Sequence, residues 1–176
     1  KSKVIICPPY TLLSDFIRLE KKMIYGAQDC HYQDKGAYTG SISAQMIKSI
    51  GCKYVIIGHS ERREYQKESS NELRLKIQAA VNNNMRVIYC IGEKLSEIKN
   101  RMQVLKKQIS TLNNNLNINN IIIAYEPIWA IGSGKTPKII EINSIHKNIR
   151  TLLSKKFGVR KSNKISILYG GSVNSL

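Results

Sequence analysis

Two ionisable side chains stand where chemistry can be done from a rigid support. Glu126 follows the run Ala124-Tyr125 and precedes Pro127. A carboxylate at the carboxyl end of a strand, with a proline stopping the ladder behind it, is aimed into the loops. That placement suits a general base, and a solvated strand-end glutamate is the plainer alternative. His59 lies in Gly58-His59-Ser60-Glu61-Arg62-Arg63, directly after the apolar run Tyr54–Ile57. Gly58 permits close approach, and the residues after His59 open a short helix whose amino end disfavours an imidazolium. A neutral histidine there can give a proton to a carbonyl; a purely structural histidine is the alternative. Both groups sit at the carboxyl ends of strands and so point the same way.

Glycine-rich turns supply the other half of a site. Tyr169-Gly170-Gly171-Ser172-Val173 is a strand running into a glycine pair, whose backbone N–H groups can cradle an anion or simply make a tight turn. Gly132-Ser133-Gly134-Lys135-Thr136 looks like the end of a phosphate loop, but Trp129 stands where that pattern needs a glycine. The dinucleotide fingerprint fails too, at Pro137. Gly132 and Gly134 are therefore points of backbone freedom in a loop of another design.

The elements that hold these residues are short and apolar. Val4–Cys7, Ile24–Gln28, Tyr54–Ile57, Arg86–Ile91, Ile121–Tyr125 and Ile165–Tyr169 mostly do not alternate, as expected of strands buried on both faces of a parallel sheet. Between them run segments with helical period: Leu73, Ile77, Ala80 and Val81; Ile98, Met102, Leu105, Ile109 and Leu112; Ile142, Ile145, Ile149, Leu152 and Leu153. Ser69 with Glu72 predicts a capping box. Weaker helices fit Thr11–Lys22 and Ser43–Ile50. Strand and helix alternate throughout, which demands right-handed parallel crossovers and an α/β fold. An open doubly wound sheet and a (β/α)8 barrel both satisfy this, and length favours the open sheet because a full barrel takes about 250 residues.

Composition narrows the rest. The 176 residues are 42% hydrophobic and 23% charged with four prolines, enough to bury a core and too apolar for wholesale disorder. No apolar run approaches the ~18 residues of a membrane span, and the start has no signal-peptide pattern. Four scattered cysteines, Cys7, Cys30, Cys52 and Cys90, read as thiols of a reducing compartment, with Cys7 and Cys90 buried. A cytoplasmic location fits. The net charge of +16 is spread in ones and twos along helical faces rather than in one block with aromatics, so no specific nucleic-acid partner is expected.

Taken together, the motifs resemble the triosephosphate isomerase family. Ile57-Gly58-His59-Ser60-Glu61-Arg62-Arg63, the stretch from Ala124 through Glu126-Pro127-Ile128-Trp129 to Lys135, and Tyr169-Gly170-Gly171-Ser172-Val173 look like its signatures in its order. Gly26-Ala27-Gln28 with Gly36-Ala37-Tyr38-Thr39-Gly40 resembles its third βα loop, and Cys90-Ile91-Gly92-Glu93 its fifth strand. The resemblance covers the whole chain. It implies a TIM barrel with its site at the strands' carboxyl ends, in a family that is itself the usual worked example of a glutamate base, a neutral histidine and a closing loop.

By that resemblance Glu126 removes the carbon-bound proton of dihydroxyacetone phosphate or glyceraldehyde 3-phosphate. His59 then moves protons between the substrate oxygens through an enediol. The lid is Pro127, Ile128, Trp129, Ala130, Ile131, Gly132, Ser133, Gly134 and Lys135. Phosphate is held through Gly132, with Gly170, Gly171 and Ser172 adding donors. A homodimer is implied, with Thr39 reaching the partner's site and Glu61 helping to receive it; Asp29 stands where the family usually has asparagine. No metal or organic cofactor is needed for such a proton transfer.

The resemblance also implies that residues 1–176 form a single barrel domain truncated at both ends, about six of eight βα units. The first unit, with an Asn-x-Lys segment that neutralises charge, and the eighth, with two phosphate glycines, then lie outside the sequence. The expectation is a glycolytic and gluconeogenic isomerase whose 176 residues turn over poorly alone. The alternative is an impaired barrel fragment serving as a basic binding module.

Overall fold

The computed structural model describes residues 3–132 and 136–173. Six strands form one sheet: β1 (Ile5–Ile6), β2 (Ile24–Ala27), β3 (Tyr54–Ile57), β4 (Arg86–Ile91), β5 (Ile121–Tyr125) and β6 (Ser166–Tyr169). Each pairs in parallel with the next, in the order β1 to β6 without reversal. That order decides between the two candidate architectures. A doubly wound sheet reverses at a switch point, where strands are added on the other side of the first; a barrel adds each strand beside the last. The fold is an incomplete (β/α)8 barrel, and the inference from length to an open sheet is corrected by strand order.

The central strands are buried because both faces are covered. All five residues of β5 are buried, and Val55, Ile57, Val87, Tyr89, Ile91 and Ile123 lie in the core. The edges differ. β6, expected to be buried, leaves Leu168 44% exposed, and Cys7, expected to be buried, is only half-buried beyond the two-residue β1. Neither edge has a second neighbouring strand among the described residues to cover it.

The helices are α1 (Tyr10–Leu19), α2 (Ala44–Ser49), α3 (Ser60–Tyr65), α4 (Ser70–Asn82), α5 (Arg101–Ser110), α6 (Ile139–Phe157) and α7 (Val159–Ser162). On α4 the apolar stripe Leu73, Ile77, Ala80 and Val81 is buried, as its spacing requires. Its capping box is half made. The Ser69 hydroxyl accepts from the Glu72 N–H at 3.1 Å, but the Glu72 carboxylate turns to Lys76, 3.5 Å away. The helix expected from Ile98 breaks into a 3-10 turn (Leu95–Asn100) and α5. Ile98 and Met102 are consequently exposed, while Leu105, Ile109 and Leu112 stay in the core.

Candidate active site

Glu126 is the first residue past β5. Its N–H donates to the Ile91 carbonyl at 2.7 Å, extending the sheet by one rung before Pro127 ends it. The side chain is 7% exposed. Oε2 accepts the backbone N–H of Ser60 at 3.2 Å, and Oε1 lies 3.5 Å from Nε2 of His59. The two residues singled out from the sequence, one after β3 and one after β5, thus meet across the end of β4.

His59 caps α3. Gly58 takes φ +74°, a conformation that favours glycine, and the chain turns there into the helix. Nδ1 of His59 accepts the Glu61 N–H at 3.4 Å, which puts the proton of a neutral imidazole on Nε2, the atom facing Glu126. The imidazole is 31% exposed and the Glu61 carboxylate 68%. Glu61 is therefore at the rim, and Thr39 stands exposed on the loop between β2 and α2, outside this cluster.

Two glycines make room for the carboxylate. A Cβ on Gly92 would overlap the Glu126 carbonyl, and one on Gly170 would sit 3.0 Å from Glu126 Cγ. The Gly170 N–H donates to the Tyr125 carbonyl at 2.8 Å, so in this conformation Gly170 continues the sheet, and Gly171 and Ser172 are what the turn can present to a ligand. The Ser172 hydroxyl donates to the Ala130 carbonyl at 2.9 Å, tying this turn to the segment after Glu126. Beside the carboxylate lies Cys90. Burial, reinforced by the Glu126 charge, pushes its thiol well above the ordinary value, so it stays S–H against the carboxylate.

Sequence reasoning missed the anchor under the 127–132 segment. Glu93, fully buried, accepts from Tyr125 Oη at 3.0 Å, Trp129 Nε1 at 3.1 Å and Arg101 Nε at 2.7 Å. Its carbonyl takes the Ile128 N–H at 3.1 Å. Arg101 reaches on to Glu141 in the first turn of α6, at 3.1 Å. Burial, then the Glu93 charge, holds the Tyr125 phenol far above its usual range. The available signal was a glutamate two residues past a buried strand, which needs partners to be buried. A cleft of about 640 Å³ separates α3 from Ile128, Ile131 and Gly132. Gly132 is exposed with φ +65°. Ser133, Gly134 and Lys135 lie outside the described residues.

On its other side α3 is held by charge. Arg62 reaches Asp29 at 2.8 Å and Glu68 at 2.7 Å, and Lys76 meets the same two carboxylates at 2.9 and 2.6 Å. Burial works to lower the Lys76 pKa, but Glu68 and Asp29 outweigh it and hold it above the usual lysine value.

Glutamate and histidine facing each other at the carboxyl ends of parallel strands, on a sheet wound in strict sequence, is an arrangement for moving protons at a small substrate. The family model described as triosephosphate isomerase matches residues 1–176. The chain belongs to the triosephosphate isomerase family. It is 41% identical to triosephosphate isomerase of Alkaliphilus oremlandii over 183 aligned positions, spanning 98% of this chain and 73% of that protein. Identity to the triosephosphate isomerase of Chlorobium phaeobacteroides is 40%, over 97% of this chain and 70% of the relative. For that of Dictyoglomus thermophilum it is 41%, over 99% and 73%. Membership of the triosephosphate isomerase family makes the chain an isomerase with a triose phosphate substrate. Among the described residues no helix is long and apolar enough to cross a membrane.

Proposed function

We propose that Glu126 is the base and His59 the proton shuttle in the interconversion of dihydroxyacetone phosphate and D-glyceraldehyde 3-phosphate. The observation that carries this reading is the pairing of Glu126 Oε1 with His59 Nε2 at 3.5 Å, inside a pocket that leaves the carboxylate 7% exposed. Glu126 takes a proton from one carbon of the substrate, giving an enediolate. Nε2–H of His59 protonates the developing oxyanion, a second transfer passes the charge to the neighbouring oxygen, and Glu126 returns its proton to the adjacent carbon. The Ser60 N–H at the start of α3 donates to Glu126 Oε2 at 3.2 Å and so orients the group that begins and ends the cycle as a carboxylate.

Residues 1–176 act in this reading as one barrel domain. The phosphate sits against Gly132, Gly171 and Ser172, while Gly170 serves the site by giving Glu126 room. The segment from Pro127 to Lys135 closes over the substrate and limits loss of phosphate from the enediolate. Thr39 and Glu61 lie at the contact of a homodimer, and the enzyme works in glycolysis and gluconeogenesis in the cytoplasm. Replacing Glu126 by Gln in the native enzyme tests the assignment. Turnover is expected to fall by more than about 10³-fold, as for loss of an essential base, with the circular dichroism spectrum unchanged. Activity within about tenfold of native would remove Glu126 from the chemistry.

A further inference from the structure

We propose that Arg63 is a positioning residue that sets the distance between His59 and Glu126; the inference rests on the catalytic reading of that pair. The β3–β4 ladder runs from Tyr54 opposite Arg86 to Ile57 opposite Tyr89 and ends there, because Gly58 turns the chain away with φ +74°. β4 itself continues to Ile91 against β5. At the point of divergence one guanidinium bridges two carbonyls. Arg63 Nε donates to Gly58 at 2.7 Å and Nη2 donates to Cys90 at 2.9 Å.

Both carbonyls belong to the site's framework. Gly58 forms the peptide bond to His59. Cys90 directly precedes Ile91, whose carbonyl accepts the Glu126 N–H. Arg63 also rides on α3, the helix whose first N–H is given to the Glu126 carboxylate. One side chain therefore joins the histidine's backbone, the strand behind the glutamate and the helix that touches it.

The clamp is seated rather than loose. The guanidinium carbon lies 5.5 Å from the centre of the Tyr89 ring, and that buried ring is pinned by its hydroxyl to the Gln108 carbonyl at 2.9 Å. Between Gly58, Arg63, Cys90, Gly92 and Glu126 only about 10 Å³ is free. A Cβ on Gly58 would come within 2.7 Å of Arg63 Nη2, so the glycine that frees the turn also admits the clamp. A planar fork is needed to satisfy both carbonyls from one position, and an ammonium cannot replace it at the same geometry.

The test compares Arg63→Met, which removes both bonds, with Arg63→Lys, which keeps charge and length but not the fork. Steady-state kinetics of the native enzyme and the variants are measured with the folded fraction checked by circular dichroism. The expected result is a kcat lower by about 10- to 100-fold for Met, since misplacing reacting groups by about 1 Å costs on this order, and a smaller loss for Lys. KM stays within about threefold, because the residue orients the pair without binding substrate. Should Arg63→Met fail to fold, Arg63→Lys decides alone by the same split. Native kcat in the folded variants, or a raised KM at unchanged kcat, overturns the positioning role. Glu126→Gln is assayed in parallel: if it stays active the catalytic reading itself falls, whereas an inactive Glu126→Gln beside fully active Arg63 variants refutes only the clamp.

Discussion

Gly170→Ala is expected to slow the enzyme without unfolding it. The added Cβ would stand 3.0 Å from Glu126 Cγ and 3.5 Å from the Tyr125 carbonyl. Relaxed carbon contacts lie at about 3.5–4.0 Å, so the carboxylate stem must retreat by about 0.5 Å. No positive φ adds backbone strain at this position. The retreat is borne by a side chain, and it changes the 3.5 Å approach of Oε1 to His59. If 1 Å of misplacement is worth about 10²-fold, half that distance lowers kcat by about tenfold, with a stability loss of about 1 kcal/mol. Gly92→Ala is the contrasting case. Its Cβ meets the Glu126 backbone carbonyl, which cannot withdraw without parting Glu126 from Ile91. A loss of about 3 kcal/mol or more is expected there. Urea titration gives the stability change, and initial rates in both directions give kcat and KM. Native kcat in Gly170→Ala, or native stability in Gly92→Ala, would refute this account of why glycine occupies the two positions.

Further outcomes follow from the buried charges. Lys76→Met leaves Asp29 and Glu68 with one cation, Arg62, and is expected to destabilise by about 3–5 kcal/mol in urea, as for breaking a buried ionic cluster. The Lys76 pKa is raised in the fold, so its contribution to stability is whole below the unfolded value near 10.5 and is lost as pH climbs through the folded one. Stability curves measured upward from pH 9 should fall in the native protein and be flatter in Lys76→Met. Glu93→Gln removes the charge shared by Arg101, Tyr125 and Trp129. Because Trp129 is the only tryptophan, its emission should shift as the indole's acceptor loses its charge, together with about 1.5–3 kcal/mol of stability; unchanged emission would show that the indole does not sense the charge at this position.

Strands were legible where both faces are covered. The runs at Tyr54, Arg86 and Ile121 match β3, β4 and β5 residue for residue, since a doubly buried strand has no polar alternation to confuse it. At the edges the same pattern misled: Leu168 is apolar yet exposed on β6. Length misled about architecture because it does not encode winding, which the sequential strand order supplied. The meeting of Glu126 and His59 could be anticipated because Glu126 follows β5 directly and His59 stands one glycine past β3. The Asp29, Glu68 and Lys76 cluster was invisible, since Lys76 lies 47 residues from Asp29 and nothing local marks it as buried. Nothing local in the Gly58–Arg63 motif marks Arg63; only the divergence of β3 from β4 gives its guanidinium two carbonyls.

The central claim, that Glu126 moves a proton through an enediolate, is tested most directly by running the native enzyme on dihydroxyacetone phosphate in deuterium oxide. A carboxylate base whose proton exchanges with solvent during the intermediate's lifetime places deuterium at C2 of the glyceraldehyde 3-phosphate formed, and Glu126→Gln forms no labelled product. Isomerisation that continues at the native rate in Glu126→Gln, with the product carrying the substrate's own hydrogen at C2, would mean transfer between the carbons without the carboxylate and would contradict the account.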